Sequence, residues 1–385
     1  MQIQERPSGS VRLHKMLAHA LGYAILVASA NSDLNAQLPS AAAVDGVFAE
    51  FNTRGSVGCA LGVARNGELL YKKGYGYANL DWDIPITPTT VFYVGSVSKQ
   101  FTAAAIALLS QQGKLDLDAD VREYVPEMPL RSPIVTARHL IHHTSGVRDM
   151  YRVMSENGLT TWNRFSREEA LALLAEQDLD FLPGARYQYS NGGYFLLSII
   201  VERVSGKPLK DFANEEIFQP LGMNDTHFHD DPVHIVKRRA MSYMPLDSGG
   251  YYQSYQSNFA LPGAGGLYST VEDLLKWDQN FLRHTVGGAE LQTTIHTFGR
   301  LNSGEELDYA FAIGRSRHRG LPVLGHTGSF MGFKAYYARF PDQRFSVWVL
   351  CNMGEIVPEQ LGLEVAALYL SNEMTPTRPE RPARP

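Results

Sequence analysis

A serine and a lysine at the start of one predicted helix are the first residues in this sequence that could perform chemistry together. Ser96 and Lys99 lie three positions apart in a helix predicted over 96–112, so their side chains share one helix face. A serine hydroxyl needs a base before it becomes a good nucleophile, and a lysine amine that burial keeps neutral can be that base. The amides at the helix N-terminus suit a developing oxyanion. Because exposed helices often carry the same spacing, this pair needs support from other motifs.

A second group of candidates lies in a glycine-rich stretch. Tyr189 and Asn191 stand in the segment 183–194, just before a helix predicted over 194–204. A tyrosine hydroxyl can relay a proton to a leaving group, and an asparagine amide can both donate to and accept from a substrate amide. The alternative is a turn that the asparagine side chain stabilises.

The third motif is Gly-His-Thr-Gly-Ser at 325–329, at the end of a strand predicted over 321–324. Gly328 has no side chain, so a substrate can approach the backbone closely there. The next amide, that of Ser329, could complete an oxyanion hole.

In this order the three motifs resemble those of the serine β-lactamase and penicillin-binding-protein superfamily. The resemblance is closest to the branch with class C β-lactamases, D-Ala-D-Ala carboxypeptidases, D-aminopeptidases and related esterases. The segments 140–147, 221–223 and 263–270 resemble it as well, and the likeness runs from about residue 45 to 370. It implies an α/β (α+β) fold, in which helices flank an antiparallel sheet and an all-helical domain is inserted.

The resemblance also implies a role for each matching position, with no cofactor and no metal. Ser96 is expected to be the acylated nucleophile and Lys99 its base. Tyr189 is expected to handle the proton that passes to the leaving group and later the one taken from water. Asn191 is expected to bind the amide side of the substrate, and the backbone amides of Ser96 and Ser329 to form the oxyanion hole. The full set of expected substrate-binding residues is Asn191, His326, Thr327, Gly328 and Ser329.

His326 departs from the pattern, because β-lactamases and carboxypeptidases usually carry lysine at this position. A lysine holds a substrate carboxylate well, whereas histidine, with an unperturbed pKa near 6.5, is mostly neutral at pH 7. The substitution disfavours efficient hydrolysis of lactams or C-terminal D-Ala. It favours a D-amino-acid amide or peptide, or an ester.

Two other groups of histidines could be metal ligands or structural residues. His227, His229 and Asp231 have a His-x-His-x-Asp spacing that can suit zinc in metallo-hydrolases. No predicted strand precedes them, so we expect no metal there. His142 and His143 are expected to be structural, ordering the loop at 144–146 beneath the site.

The elements that must position these residues fall into two groups. Strand signals stand at both ends, including a hairpin at Asn66 and Gly67, and helical signals fill the middle up to about residue 245. We therefore predict a sheet domain from 40–105 and 255–372, with a helical domain over 106–254.

The two ends of the chain predict export and disorder. Residues 1–36 run from positive to apolar to small side chains, as in a secretory signal peptide cleaved near 30 or 36. No later stretch is apolar enough to span a bilayer, so a periplasmic or secreted protein is expected. Residues 373–385 are rich in proline and predict a disordered tail.

Charge and cysteine content exclude several classes of function. The net charge of −5 in 385 residues argues against nucleic-acid binding, and two cysteines exclude a multi-cysteine metal site. Cys59 and Cys351 would lie on neighbouring strands of the resembled fold. Buried free thiols are the default expectation, and a disulfide formed after export is the alternative.

Three functions remain to be compared. The leading hypothesis is an exported serine hydrolase that works through an acyl-enzyme on a small-molecule or peptide substrate, with peptidoglycan-derived peptides among the candidates. The second is a penicillin- or peptidoglycan-sensing module that is acylated without turnover. The third, a metallo-hydrolase, would lose activity to chelators.

Overall fold

A six-stranded antiparallel sheet is the central element of the computed structural model, which describes residues 38–129, 133–254, 258 and 261–376. The predicted leader and the tail beyond residue 376 lie outside the described residues. The strands are β1 (Cys59–Arg65), β2 (Glu68–Tyr75), β3 (Tyr77–Asn79), β4 (Ile84–Pro85), β5 (Phe92–Tyr93), β6 (His227–Phe228), β7 (Ser242–Pro245), β8 (Tyr251–Ser254), β9 (Leu267–Ser269), β10 (Gly314–His318), β11 (Leu321–Phe330), β12 (Phe333–Phe340) and β13 (Phe345–Cys351).

Both ends of the chain build this sheet, as the strand signals predict. Its order is β10-β11-β12-β13-β1-β2, so β1 from the N-terminal part pairs with β13 from the C-terminal part. The hairpin between β1 and β2 turns at Asn66 and Gly67, whose φ angles are 56° and 74°. Two consecutive positive φ angles match the twist of a tight hairpin, which explains why this dipeptide signals the turn.

Helices fill the middle of the chain and cover the sheet. They are α1 (Ala41–Val47), α2 (Lys99–Gln111), α3 (Ala137–Ile141), α4 (Met150–Glu156), α5 (Arg167–Ala175), α6 (Asn191–Ser205), α7 (Leu209–Ala213), α8 (Gln219–Leu221), α9 (Val271–Arg283), α10 (Gly288–Ile295) and α11 (Pro358–Tyr369). The α/β fold with an antiparallel sheet and inserted helices is therefore confirmed. The helical stretch also contains the short strands β6 and β7, which the helical signals did not predict. The domain limits at 105 and 254 stay a prediction, and the first of them falls inside α2.

Both faces of the sheet are buried, because successive side chains of a strand point to opposite sides. Along β13, Val347 and Val349 pack into the core that holds α1 and α11. Their neighbours Trp348 and Leu350 pack into the larger core with α2 and α9. The sheet therefore rests on α2, the helix that carries the candidate lysine.

Cys59 and Cys351 form a disulfide bond, so the default expectation of free thiols is wrong. The two residues are direct partners in the register of β1 and β13, and both are fully buried. Burial alone is typical of free cysteines, but strand register brings these two side chains together. Sequence positions 292 residues apart give no sign of that register.

Candidate active site

The first two motifs meet at the amine of Lys99. A 3-10 turn over Gly95–Ser98 precedes α2 and carries Ser96, and Asn191 is the first residue of α6. The Lys99 Nζ lies 3.1 Å from Ser96 Oγ and 2.8 Å from Asn191 Oδ1. It also donates to the carbonyl of Ala264 at 2.6 Å. Ala264 belongs to the segment 263–270 that resembles the family.

Burial gives Lys99 the lowered pKa that the predicted base needs. The residue is 0% exposed, and this burial lowers the pKa of its amine to about 7, although the nearby Asp149 carboxylate acts to raise it. A neutral amine has two N–H groups and one lone pair. Because Asn191 Oδ1 and the Ala264 carbonyl are acceptors only, they take the two N–H groups, and the lone pair faces Ser96 Oγ.

Tyr189 lies over the same amine. Its ring centroid is 4.8 Å from Lys99 Nζ, and its hydroxyl is buried next to the Ser96 hydroxyl. Burial raises the pKa of Tyr189, while the neighbouring Ser96 hydroxyl acts to lower it. The phenol therefore keeps its proton at neutral pH and can give it to a leaving group.

Asp149 holds Asn191 in place, and the sequence analysis missed it. Its Oδ2 accepts from the backbone amide of Asn191 at 2.8 Å and from Nδ2 of the same residue at 2.7 Å. This contact fixes which end of the side-chain amide faces Lys99. Asp149 also caps α4 by accepting from the amide of Tyr151 at 3.0 Å. An aspartate just before a helix looks like an ordinary N-cap, so only its position could have drawn attention.

The motif at 325–329 lies inside β11 and not after it, since the strand extends to Phe330. Two glycines bring it against the backbone at Ser96. A Cβ on Gly328 would lie 2.0 Å from the carbonyl oxygen of Val94 and 3.2 Å from the amide nitrogen of Ser96. A Cβ on Gly95, whose φ is 56°, would lie 2.5 Å from the amide nitrogen of Ser329. The backbones that carry both expected oxyanion-hole amides therefore touch.

His326 is held by its neighbours on both ring nitrogens. Its Nδ1 lies 2.6 Å from the carbonyl oxygen of Thr327, and its Nε2 lies 3.0 Å from the hydroxyl of Tyr309. Burial, and the nearby Lys99, lower the pKa of His326 to about 4. The imidazole is therefore neutral at pH 7.

One cavity contains Ser96, the predicted nucleophile, and two others are lined by residues of the other two motifs. One of about 290 Å³ contains Ser96 and Asn191 and is walled by the rings of Tyr93, Tyr151 and Phe330. A second, of about 280 Å³, lies on the far side of Tyr189 and His326. A third, of about 620 Å³, begins at Ser329 and extends to Trp162 and Lys334. The first and third cavities share Ser329, so open space extends from Ser96 past this residue.

The part of the chain that the structure describes contains no set of metal ligands. In these residues, no group of three or more His, Cys, Asp or Glu side chains could bind an ion. The rings of His227 and His229 instead pack against Tyr268. His142 lies between the carbonyls of Arg138 and Thr297.

Comparison with known proteins agrees with the motifs. The family model described as Beta-lactamase matches residues 44–384. The chain belongs to the beta-lactamase family. It is a serine hydrolase of this family, as its motifs predict.

Two relatives and one solved structure illustrate the similarity of this family member to known proteins. Penicillin-binding protein 4* of Bacillus subtilis is 29% identical over 346 residues, which are 83% of this chain and 73% of the relative. The D-aminopeptidase of Gluconobacter oxydans is 30% identical over 304 residues, covering 77% of this chain and 55% of the relative. The octameric penicillin-binding protein homologue from Pyrococcus abyssi superimposes with a TM-score of 0.75 at 29% identity, covering 85% of this chain and 77% of that one. The chain thus spans about half of the D-aminopeptidase.

Within the described ranges, none of the helices has the length and apolar character needed to cross a membrane.

Proposed function

We propose that this protein is an exported serine hydrolase that cleaves amides or esters through an acyl-enzyme on Ser96. The observation that carries the proposal is the arrangement at Lys99. Its two acceptor partners take two N–H groups and leave the lone pair facing the Ser96 hydroxyl at 3.1 Å. This is the geometry that general-base activation of a serine requires.

Acylation follows from the positions of the side chains. The Ser96 oxygen attacks the scissile carbonyl carbon as its proton passes to Lys99 Nζ, and the carbonyl electrons move to the oxygen. The amides of Ser96 and Ser329 hold that oxyanion. Its collapse re-forms the carbonyl and breaks the bond to the leaving group. The leaving group takes a proton from Tyr189, which takes one from Lys99.

Deacylation uses the same groups in reverse. Water attacks the acyl carbon as its proton passes to Tyr189, which gives its own proton to the neutral amine of Lys99. Lys99 then returns a proton to the departing Ser96 oxygen. Asn191 has one Nδ2 proton beyond the one donated to Asp149, and this proton is the group we assign to the amide side of the substrate.

The preferred substrates in this proposal are D-amino-acid amides or peptides and carboxylic esters, with weaker β-lactamase or carboxypeptidase activity. The neutral His326 supports this ranking, because it supplies no charge to hold a carboxylate. Similarity to a D-aminopeptidase supports D-peptide chemistry, and peptides derived from peptidoglycan stay among the candidate substrates of this proposal.

A periplasmic or secreted location is the compartment we propose. The buried disulfide between Cys59 and Cys351 supports it, because such bonds persist in oxidising compartments. The signal-peptide pattern in residues 1–36 points the same way.

The experiment that tests the proposal measures turnover of p-nitrophenyl butyrate, a D-Ala anilide and nitrocefin by purified protein. Sustained turnover of the ester or the anilide supports the hydrolase. A burst of one equivalent followed by no turnover on all three would instead support the sensing module, which acylates Ser96 without deacylation.

A further inference from the structure

A continuous line of hydrogen bonds connects the backbone next to Tyr189 with His326. The backbone amide of Ser190 donates to His143 Nδ1 at 3.1 Å. His143 Nε2 lies 3.3 Å from the Tyr309 hydroxyl, which lies 3.0 Å from His326 Nε2. His326 Nδ1 ends the line at the Thr327 carbonyl, 2.6 Å away. His143 and Tyr309 are both buried, so water does not replace these contacts.

The line has one consistent direction. An amide N–H can only donate, so His143 Nδ1 is an acceptor and the ring proton sits on Nε2. That proton goes to the Tyr309 oxygen, which leaves the Tyr309 proton for His326 Nε2. A carbonyl can only accept, so His326 carries its own proton on Nδ1 and donates it to Thr327. Both imidazoles are neutral in this arrangement, and every donor has an acceptor.

We infer that Tyr309 is the residue that sets substrate class at this site, because it occupies the one ring nitrogen of His326 that could otherwise bind a substrate carboxylate. With Nδ1 committed to Thr327 and Nε2 committed to Tyr309, His326 offers a substrate neither a charge nor a free N–H. This inference rests on the proposed acyl-enzyme function and deepens it: the substrate should have no carboxylate at this position. The role is one of positioning, since Tyr309 acts through His326.

The surroundings of His326 oppose a positive charge on its ring. Burial disfavours the charged form of the ring, and the positive charge of Lys99, on the Ser96 side, disfavours it further. Arg315 lines the second cavity and is already paired with Glu306 and Asp308. The ionisable groups that face His326 across the site and the second cavity are Lys99, His143, Tyr187, Tyr189, Tyr309, Arg315, Tyr336 and Glu359.

The test replaces the hydroxyl alone, with Tyr309→Phe. The ring still fills its place beside His143, while His326 Nε2 becomes free to carry a proton into the cleft. We expect the ratio of kcat/KM for benzylpenicillin to kcat/KM for p-nitrophenyl butyrate to rise about tenfold at pH 6. Loss of the hydrogen bond donated by Tyr309 raises the pKa of His326, and a bound carboxylate raises it further by forming a charge-assisted hydrogen bond, against the burial that opposes the charge. The rise should shrink as the pH increases, because the free imidazole loses its charge.

Tyr187→Phe is the matched control. Tyr187 lines the same cavity, and its ring centroid lies 5.8 Å from that of Tyr309, but it makes no hydrogen bond to His326. Its substitution should leave the ratio unchanged. An equal rise in both variants would overturn the inference, and so would a Tyr309→Phe ratio within about threefold of the parent protein. A parallel loss on both substrates would show that the hydroxyl serves folding only.

Nitrogen NMR of the histidine rings gives a readout that needs no substrate. In the parent protein His326 should carry its proton on Nδ1 alone, and in Tyr309→Phe the pKa of His326 should be higher, so that the doubly protonated ring appears at a higher pH than in the parent protein. An unchanged titration of His326 would overturn the inference. If Ser96 cannot be acylated by a fluorophosphonate, the proposed function fails, while the NMR result still decides the role of Tyr309.

Discussion

The protonation state of Lys99 should control the pH dependence of catalysis. Burial lowers the pKa of this amine to about 7, and only the neutral form has a lone pair for the Ser96 proton. The group is therefore active above its pKa and inactive below it. The neutral fraction is about one half at pH 7, about one tenth at pH 6 and about one hundredth at pH 5. The expected result is a kcat/KM that falls about tenfold per pH unit below 7.

The assay is kcat/KM for p-nitrophenyl butyrate between pH 5 and 9, since this substrate has no ionisable group of its own in that range. Protein with Ser96→Ala provides the correction for uncatalysed hydrolysis. Because kcat/KM reports on the free enzyme, the acid limb belongs to a group of the unoccupied site. A profile that stays flat from pH 5.5 to 8.5 would refute the assignment of Lys99 as a base that titrates near 7.

Two substitutions identify the titrating group. Lys99→Arg keeps a positive charge but not a base, because a guanidinium stays protonated throughout this range, so activity should fall nearly as far as in Lys99→Ala. Asp149→Asn removes the negative charge that raises the pKa of Lys99, so the acid limb should move to lower pH. Substantial activity in Lys99→Arg would mean that the lysine acts only electrostatically. An acid limb that stays in place in Asp149→Asn would assign it to another group.

Three further predictions concern the nucleophile, the substrate class and the disulfide. Ser96→Ala should abolish turnover with little change in melting temperature, and a fluorophosphonate should label the parent once, on Ser96; labelling that survives the substitution would contradict the assignment. His326→Lys should raise the benzylpenicillin-to-butyrate ratio of kcat/KM by about ten- to a hundredfold, as one charge-assisted contact is worth about 1.5–3 kcal/mol, and a ratio within about threefold would exclude position 326 from substrate choice. Alkylation of the unfolded, unreduced protein should leave Cys59 and Cys351 unmodified. Loss of the bond in Cys351→Ala should cost about 2–4 kcal/mol in the free energy of unfolding, measured with denaturant.

Short-range sequence signals predicted the elements whose stabilising contacts join residues close to one another in the chain. Asn66 and Gly67 formed the expected hairpin, and the spacing of Ser166 and Glu169 is that of the capping box which they form at α5. Each of these depends on contacts within a few residues, so the pattern contains all that is needed. The short strand β6 is different, because it pairs with β9 about forty residues later and has no alternation of its own.

The residues of the candidate site also fall into two groups, those that a local motif identifies and those that it does not. Ser96 and Lys99 are recognisable because one helical turn brings them together, and Asn191 lies beside Tyr189 in the chain. Asp149 and Tyr309 are not, since each acts on a residue from another element: Asp149 orients Asn191, and Tyr309 occupies Nε2 of His326.

This difference has a consequence for substrate choice. The identity of residue 326 suggests a site without a permanent charge, but a histidine on its own could still gain a proton and hold a carboxylate. Whether it does depends on burial and on Lys99, which oppose the charge, and on the two partners that take its ring nitrogens, Tyr309 and the Thr327 carbonyl. Two chains with the same Ser-x-x-Lys, Tyr-x-Asn and His-Thr-Gly motifs could therefore prefer different substrates if only one of them carries a hydroxyl at the position of Tyr309. For this chain, we propose neutral amides and esters as the preferred substrates.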